Sequence, residues 1–239
     1  MKNYIILFLS LLASSTITAQ SFFQLKGNGN VITKERDVNG SFYSIEASNG
    51  LDVYITPGDV ASISVEADEN LHEAIVTDIK NGKLEITTKK NIGKSRKKKI
   101  HVTYADELRS LHVSAGAEIE TRQTLKAKEL DLLSKSGGEL ELEVFSEYIT
   151  ANASSGGEIE LKGKSVNLDA EASSGGDIEA KRLQVLHANV KASSGGSIEV
   201  NAKETLKANA SSGGEIKYYG EPTEKNIQAS FSGRIKSKR

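Results

Sequence analysis

The chain has 239 residues with no Cys, no Trp, one Met and two Pro, and its 31 basic and 32 acidic residues leave a formal net charge of -1. These counts exclude a disulfide scaffold, a Cys-ligated metal and a catalytic thiol, and the even charge balance offers nucleic acid no general attraction. Hydrophobic residues make up 37% and aromatic residues 5%, which is little for a thick core. Residues 1–19 read as a secretory signal peptide: Lys2, an apolar run from Tyr4 to Ala13, then the small and polar residues up to Thr18-Ala19. The run is too short for a membrane anchor, and no later stretch is apolar enough to span.

Residues 20–110 read as a varied β region that caps the repetitive remainder of the chain. Strand-like runs occur at 31–33, 43–47, 51–55, 62–66 and 100–104. The runs 77–80 and 83–87 flank Asn81-Gly82, a strong hairpin signal. Asn70–Val76 reads as a short helical stretch, and the basic run Lys94–Lys99 as a solvated hairpin tip. Tyr43, Tyr54 and Tyr104 read as strand residues packing a sheet.

Residues 111–236 are repetitive. Ser-Gly-Gly strings recur at 136–138, 155–157, 174–176, 194–196 and 212–214, with degenerate copies near Gly116 and Gly233. An aliphatic landmark comes after each, at Ile119, Leu140, Ile159, Ile178, Ile198, Ile216 and Ile235, roughly 19 residues apart. Between the strings apolar residues alternate with polar ones, as in Leu168, Ala170 and Ala172, and a period of two means a half-buried strand. Each unit therefore reads as a strand, a Ser-Ser-Gly-Gly corner, a second strand and a polar return such as Lys162–Ser165. Gly suits a sharp corner that stacks tightly on its neighbours.

Ordering such a unit costs roughly 1.5 kcal/mol per residue, which only stacked neighbours offset. The expected fold is all-β, a parallel β-solenoid (β-helix) with coils spaced by about 4.8 Å, right-handed by the crossover rule. Ala at 151, 153, 170, 172, 188, 192, 208 and 210 is expected to face a narrow interior. Tyr218-Tyr219 and the polar C-terminal segment are expected to cap the far end, with 237–239 a tail.

Several stretches together resemble the head GIN domain family of autotransporter-type adhesins. They are Gly27–Val31, Phe42–Ile55, Ala67–Leu71, Asp78–Ile86 and the repeated Ser-Gly-Gly-x-Ile units, covering roughly 22–236. The resemblance implies a secreted or envelope-facing β-helical protein of Gram-negative bacteria, located in the periplasm or on the outer surface. It brings no catalytic residues to this sequence. No translocating barrel is read in the chain.

Acidic residues flank the landmarks up to Ile216: Glu118/Glu120, Glu139/Glu141, Glu158/Glu160, Asp177/Glu179, Ser197/Glu199 with one acid, and Glu215. Stacking is expected to align them in two outward, mutually repelling carboxylate columns, more readily a solvated face than a cation site. The corner serines are expected to hydrogen-bond along a ladder. His72, His101, His112 and His187 do not recur with the repeat, so no base is expected beside a serine nucleophile. No catalytic, cofactor-binding or metal-ligating residue is assigned. The expected function is a non-enzymatic adhesion or interaction module of the cell envelope, whose partner is an envelope protein or a surface polymer. An envelope scaffold or sensor, and third a polysaccharide-active enzyme, are the rivals.

Overall fold

The computed structural model describes residues 24–238; the segment read as a signal peptide lies outside them. The strands are β1 (Val31–Arg36), β2 (Ser44–Ala47), β3 (Asp52–Pro57), β4 (Ser62–Asp68), β5 (Ile75–Lys80), β6 (Lys83–Thr88), β7 (Lys98–Tyr104), β8 (Ser110–Ser114) and β9 (Glu118–Thr121). After them come β10 (Leu125–Lys135), β11 (Glu139–Ser154), β12 (Glu158–Ser173), β13 (Asp177–Ala192), β14 (Ser197–Ala210), β15 (Glu215–Tyr219), β16 (Glu224–Ala229) and β17 (Arg234–Ser237). They form a parallel β-solenoid of about seven turns.

The corner explains why the repeat has its sequence. Ser174 and Gly175 both sit in the left-handed region, at φ +51° and +75°, and the Gly176 N–H donates to the Ser173 carbonyl at 2.9 Å. Two successive positive-φ residues closed by such a bond make a type I′ turn. Here the flanking strands pair with the coils above and below rather than with each other. Gly176 has a different role. Its backbone lies so close to the preceding coil that a Cβ would overlap the Ala153 carbonyl. The corner serines show no hydrogen bonds to one another among the described residues; the ladder there is backbone, as in Gly213 N–H to the Phe231 carbonyl at 3.2 Å.

From β11 to β14 the strands run unbroken between corners. The Lys162–Ser165 return stays inside β12 and pairs with both neighbours. A bulge between Glu160 and Lys162 absorbs the step from a 19- to a 20-residue coil. Leu140, Ile159, Ile178, Ile198 and Ile216 stack in one register column, and all are buried. All eight expected inward alanines are buried too, with Ala153, Ala172, Ala192 and Ala210 stacked beside the corner. Small side chains there let the two walls of the coil approach where the chain turns.

The N-terminal half enters the stack out of order. β2 and β3 form one coil, turning at Asn49-Gly50, and pair in parallel with β8 and β9. Their other edges pair in parallel with β6 and β7. In space the succession is therefore β6–β7, β2–β3, β8–β9, and only then the repeats. Antiparallel β4 covers β7, β1 covers β4, and β5 covers β6. The β5–β6 hairpin turns at Asn81-Gly82 as its sequence predicts.

Asn70–Val76 is not a helical stretch. A 3-10 turn spans Glu69–Leu71 only, and the β-branched Ile75 and Val76 begin β5. Nor is Lys94–Lys99 a solvated tip. The buried Asp68 carboxylate accepts the backbone N–H of Arg96 at 2.8 Å, of Lys97 at 3.1 Å and of Gly29 at 2.5 Å. Lys97 pairs with Glu66 at 2.6 Å, and Lys98 donates to the Gly50 carbonyl at 2.5 Å. Tyr54 and Tyr104 are buried as expected, whereas Tyr43 is exposed beneath the Arg109 guanidinium.

Candidate binding faces

Strand alternation leaves each coil with outward side chains, and the register stacks them into faces. On the first face Asp52, Glu118, Glu139, Glu158, Asp177, Ser197 and Glu215 form one column. Burial raises the Glu118 carboxyl above its ordinary value, and the neighbouring Glu139, Asp52 and Glu120 push it further. Glu158 is raised by burial and then by Glu139 and Asp177. Asp177 is raised mainly by burial.

The second column, Glu120 to Glu199, is not the repelling row expected from its composition. Bases on the same coil and on neighbouring coils neutralise it. Arg122 meets Glu120 at 2.9 Å, Arg182 pairs with Glu160, and Lys181 bridges Glu179 at 2.9 Å and Glu199 at 3.0 Å. Burial alone would raise Glu199, but bonds from Lys217 and Lys181 outweigh it and hold the carboxyl below its usual value. Among the described residues no group of three or more His, Asp or Glu is arranged to hold a metal ion.

The first column gives a pH prediction. A carboxyl raised in the fold stabilises only below its unfolded value, 4.5 for Glu158, and that stability is lost as pH rises through the folded value. Glu158→Gln is therefore expected to stabilise the protein at pH 7 by about 0.5 kcal/mol, the size of a like-charge cross-strand contact. The gain disappears below pH 4.5. Urea midpoints across pH check this; a variant less stable than the parent at pH 7 contradicts it.

A second face is polar and concave. Tyr148, Asn167, His187 and Thr205 stack in one column, and Thr150, Asp169, Asn189 and Lys207 in the next. Three open depressions of about 410, 350 and 420 Å³ run together along these columns, sharing Tyr148, Thr150, Asp169 and Asn189 among their walls. The groups are tied across coils: Asn189 donates to Asp169 at 2.6 Å, Lys191 to Glu171 at 3.0 Å, and His187 lies 3.1 Å from the Thr205 hydroxyl. Such a surface offers donors and acceptors at every coil, with the exposed Tyr148 ring among them. Its width and openness suit an extended partner rather than an enclosed small molecule.

One cluster on this side looks like catalytic machinery and is not built as such. Ser110 and His112 lie two apart on β8, so they share a face, and register brings Asp131 beside them. Contrary to the expectation of no base beside a serine, the Ser110 hydroxyl lies 3.0 Å from His112 Nε2. The Asp131 carboxylate meets that same nitrogen at 2.8 Å. A relay needs the serine and the carboxylate on opposite ring nitrogens. The raised carboxyls of the first face, Glu118, Glu158 and Asp177, do not line the three depressions. His72 is buried, its Nε2 3.2 Å from the Ile32 carbonyl, and burial lowers its pKa. His101 stacks on Tyr54.

Comparison with known proteins agrees with the fold. Residues 41–222 match the family described as "Putative auto-transporter adhesin, head GIN domain". A solved "putative adhesin" from Bacteroides fragilis NCTC 9343 superposes with a TM-score of 0.81 at 22% identity, covering 90% of this chain and 100% of that one. A "putative lipid binding protein" from Parabacteroides distasonis ATCC 8503 gives 0.69 at 25% identity, over 90% and 100%. A "putative adhesin" from Parabacteroides merdae ATCC 43184 gives 0.65 at 22%, over 90% and 99%. Below 25% identity, the two adhesin structures speak for the fold alone. A search of curated proteins finds no match.

Proposed function

The chain belongs to the head GIN domain family, and on that footing we propose that it is an exported, non-enzymatic adhesion module of the cell envelope. Its contact surface is the polar face built by β11 to β14. One observation carries the reading: the three depressions of the polar face run together across several coils, instead of closing around a point where a reaction could be held. An extended polymer or strand laid along the rod meets a fresh set of amide, hydroxyl and carboxylate groups at each coil. Many weak polar contacts, each of about 1 kcal/mol, then add along its length.

The test uses immobilised protein and two probes, washed cells of the producing organism and their purified surface polysaccharide. Thr150→Arg combined with Asn189→Arg fills the shared depression and is expected to cut retention of at least one probe tenfold or more. Glu139→Gln, on the acidic face, should leave retention unchanged. Equal retention by both variants rules out the polar face. Protease treatment of intact cells checks the location: digestion of the chain means surface display, and protection until the outer membrane is opened means the periplasm.

A further inference from the structure

We propose that a third face, centred on Phe145, seats the rod on an anionic lipid surface. This goes beyond the adhesive reading and stands independently of it, because it uses other residues and another side of the coil. Phe145 lies between Val144 and Ser146, both buried, so strand alternation points its ring outward, where it is 57% exposed. Register places Lys126, Phe145, Lys164 and Gln184 in one column. Val166, 38% exposed, and the half-buried Leu186 lie in the adjacent column. Phe145, Val166 and Leu186 line one open depression of about 250 Å³, bordered by Lys164 and Lys203. Three apolar side chains from successive coils thus gather into one small contiguous hollow instead of being scattered singly.

The charges around this hollow set it apart. Lys126, Lys128, Lys164 and Lys203 are all exposed. Among the described residues none of the four ammonium groups pairs with a carboxylate within 4 Å, although the Lys128 backbone N–H donates to Glu107 at 2.5 Å, whereas on the acidic face Lys162, Lys181, Arg182 and Lys217 are all paired. Glu107, Glu147 and Glu204 are the acids nearby, three against the four lysines, so the patch keeps a small positive excess. Free lysines around an apolar centre argue for a membrane over a protein partner. Lysine is depleted from the centres of protein interfaces. At a bilayer its long stem lies along the apolar surface while the ammonium reaches the anionic headgroups. Each such lysine strengthens attraction to an anionic membrane by severalfold.

The chain has no Trp, so Phe145→Trp in the full chain makes a reporter that sees only this patch, whatever the apolar run near the N-terminus does. Added vesicles of phosphatidylglycerol mixed into phosphatidylcholine should shift its emission to the blue. Nitroxide-labelled acyl chains should quench it, and pure phosphatidylcholine should do neither. Adding Lys126→Glu and Lys164→Glu should weaken the response roughly tenfold or more, and raised salt should weaken it as well. A Val60→Trp variant, its indole exposed but off the patch, should not respond. The proposal is overturned if the emission of the Phe145→Trp variant ignores anionic vesicles, or if the Lys reversals leave its response intact. It is equally overturned if the emission shifts with protein concentration alone, which would mean that a second copy covers the patch.

Discussion

Gly176→Ala is expected to destabilise its coil by about 3 kcal/mol, the upper range for forcing atoms into filled space. Gly175→Ala is expected to cost about 1 kcal/mol, the lower end of the penalty for a left-handed L-residue. The two glycines are adjacent and look equivalent in the repeat, yet the structure separates their duties. Gly175 supplies a positive φ and has open space where a Cβ would stand; Gly176 has an ordinary φ and no space at all. The clash at Gly176 is with backbone of the preceding coil, which cannot move without breaking the ladder that Asp177 N–H to the Gly157 carbonyl maintains at 3.0 Å. Amide exchange at Asp177 and Ser197 reads the effect locally, which matters in a stack whose coils touch only their neighbours. Valine at 175 should cost more than alanine, since a β-branched residue tolerates the left-handed region worst. Equal costs for alanine at 175 and 176 would refute this division of roles.

Asp68→Ala is expected to cost about 3 kcal/mol or more, because it leaves the N–H groups of Gly29, Arg96 and Lys97 without their acceptor. The damage should centre on the capped end. Exchange at Gly29, Arg96 and Lys97 should accelerate sharply, while amides from β11 to β14 stay protected. Asp68→Asn keeps one acceptor oxygen and should lie between. Burial works to raise this carboxyl, but the backbone donors of Lys97, Gly29 and Arg96 hold it below its usual 3.8. Its contribution is thus intact above pH 3.8 and is lost as pH falls through the lower folded value. If exchange rises equally along the whole rod, Asp68 is not a local clamp.

The sequence made the coil visible because the coil is periodic. The Ile landmarks, the inward alanines and the corner glycines each repeat roughly every 19 residues, and every one occupies its expected place. What escaped detection depends on contacts that have no period. Nothing local in Ser44–Ala47 says that β6 lies on one side of it and β8 on the other. The bases that neutralise the second acidic column were not anticipated, because Arg182 and Lys181 find their partners across a bulge that shifts the register. The same shift sets Leu186 beside Val166, a pairing that a strict 19-residue comparison misses. Ser110, His112 and Asp131 met for a similar reason, one strand and one coil supplying parts that sequence alone kept distant.

The out-of-order entry of β2 and β3 has a consequence for how the molecule is made. That coil cannot be paired on both sides until the chain has been synthesised as far as β9, so the capped end requires distant segments to find one another. Every later coil needs only the one just laid down, a short-range step that is fast where the first is slow. A lineage can therefore lengthen or shorten the rod, and with it the reach of whatever its sides hold, by gaining or losing coils far from the out-of-order end.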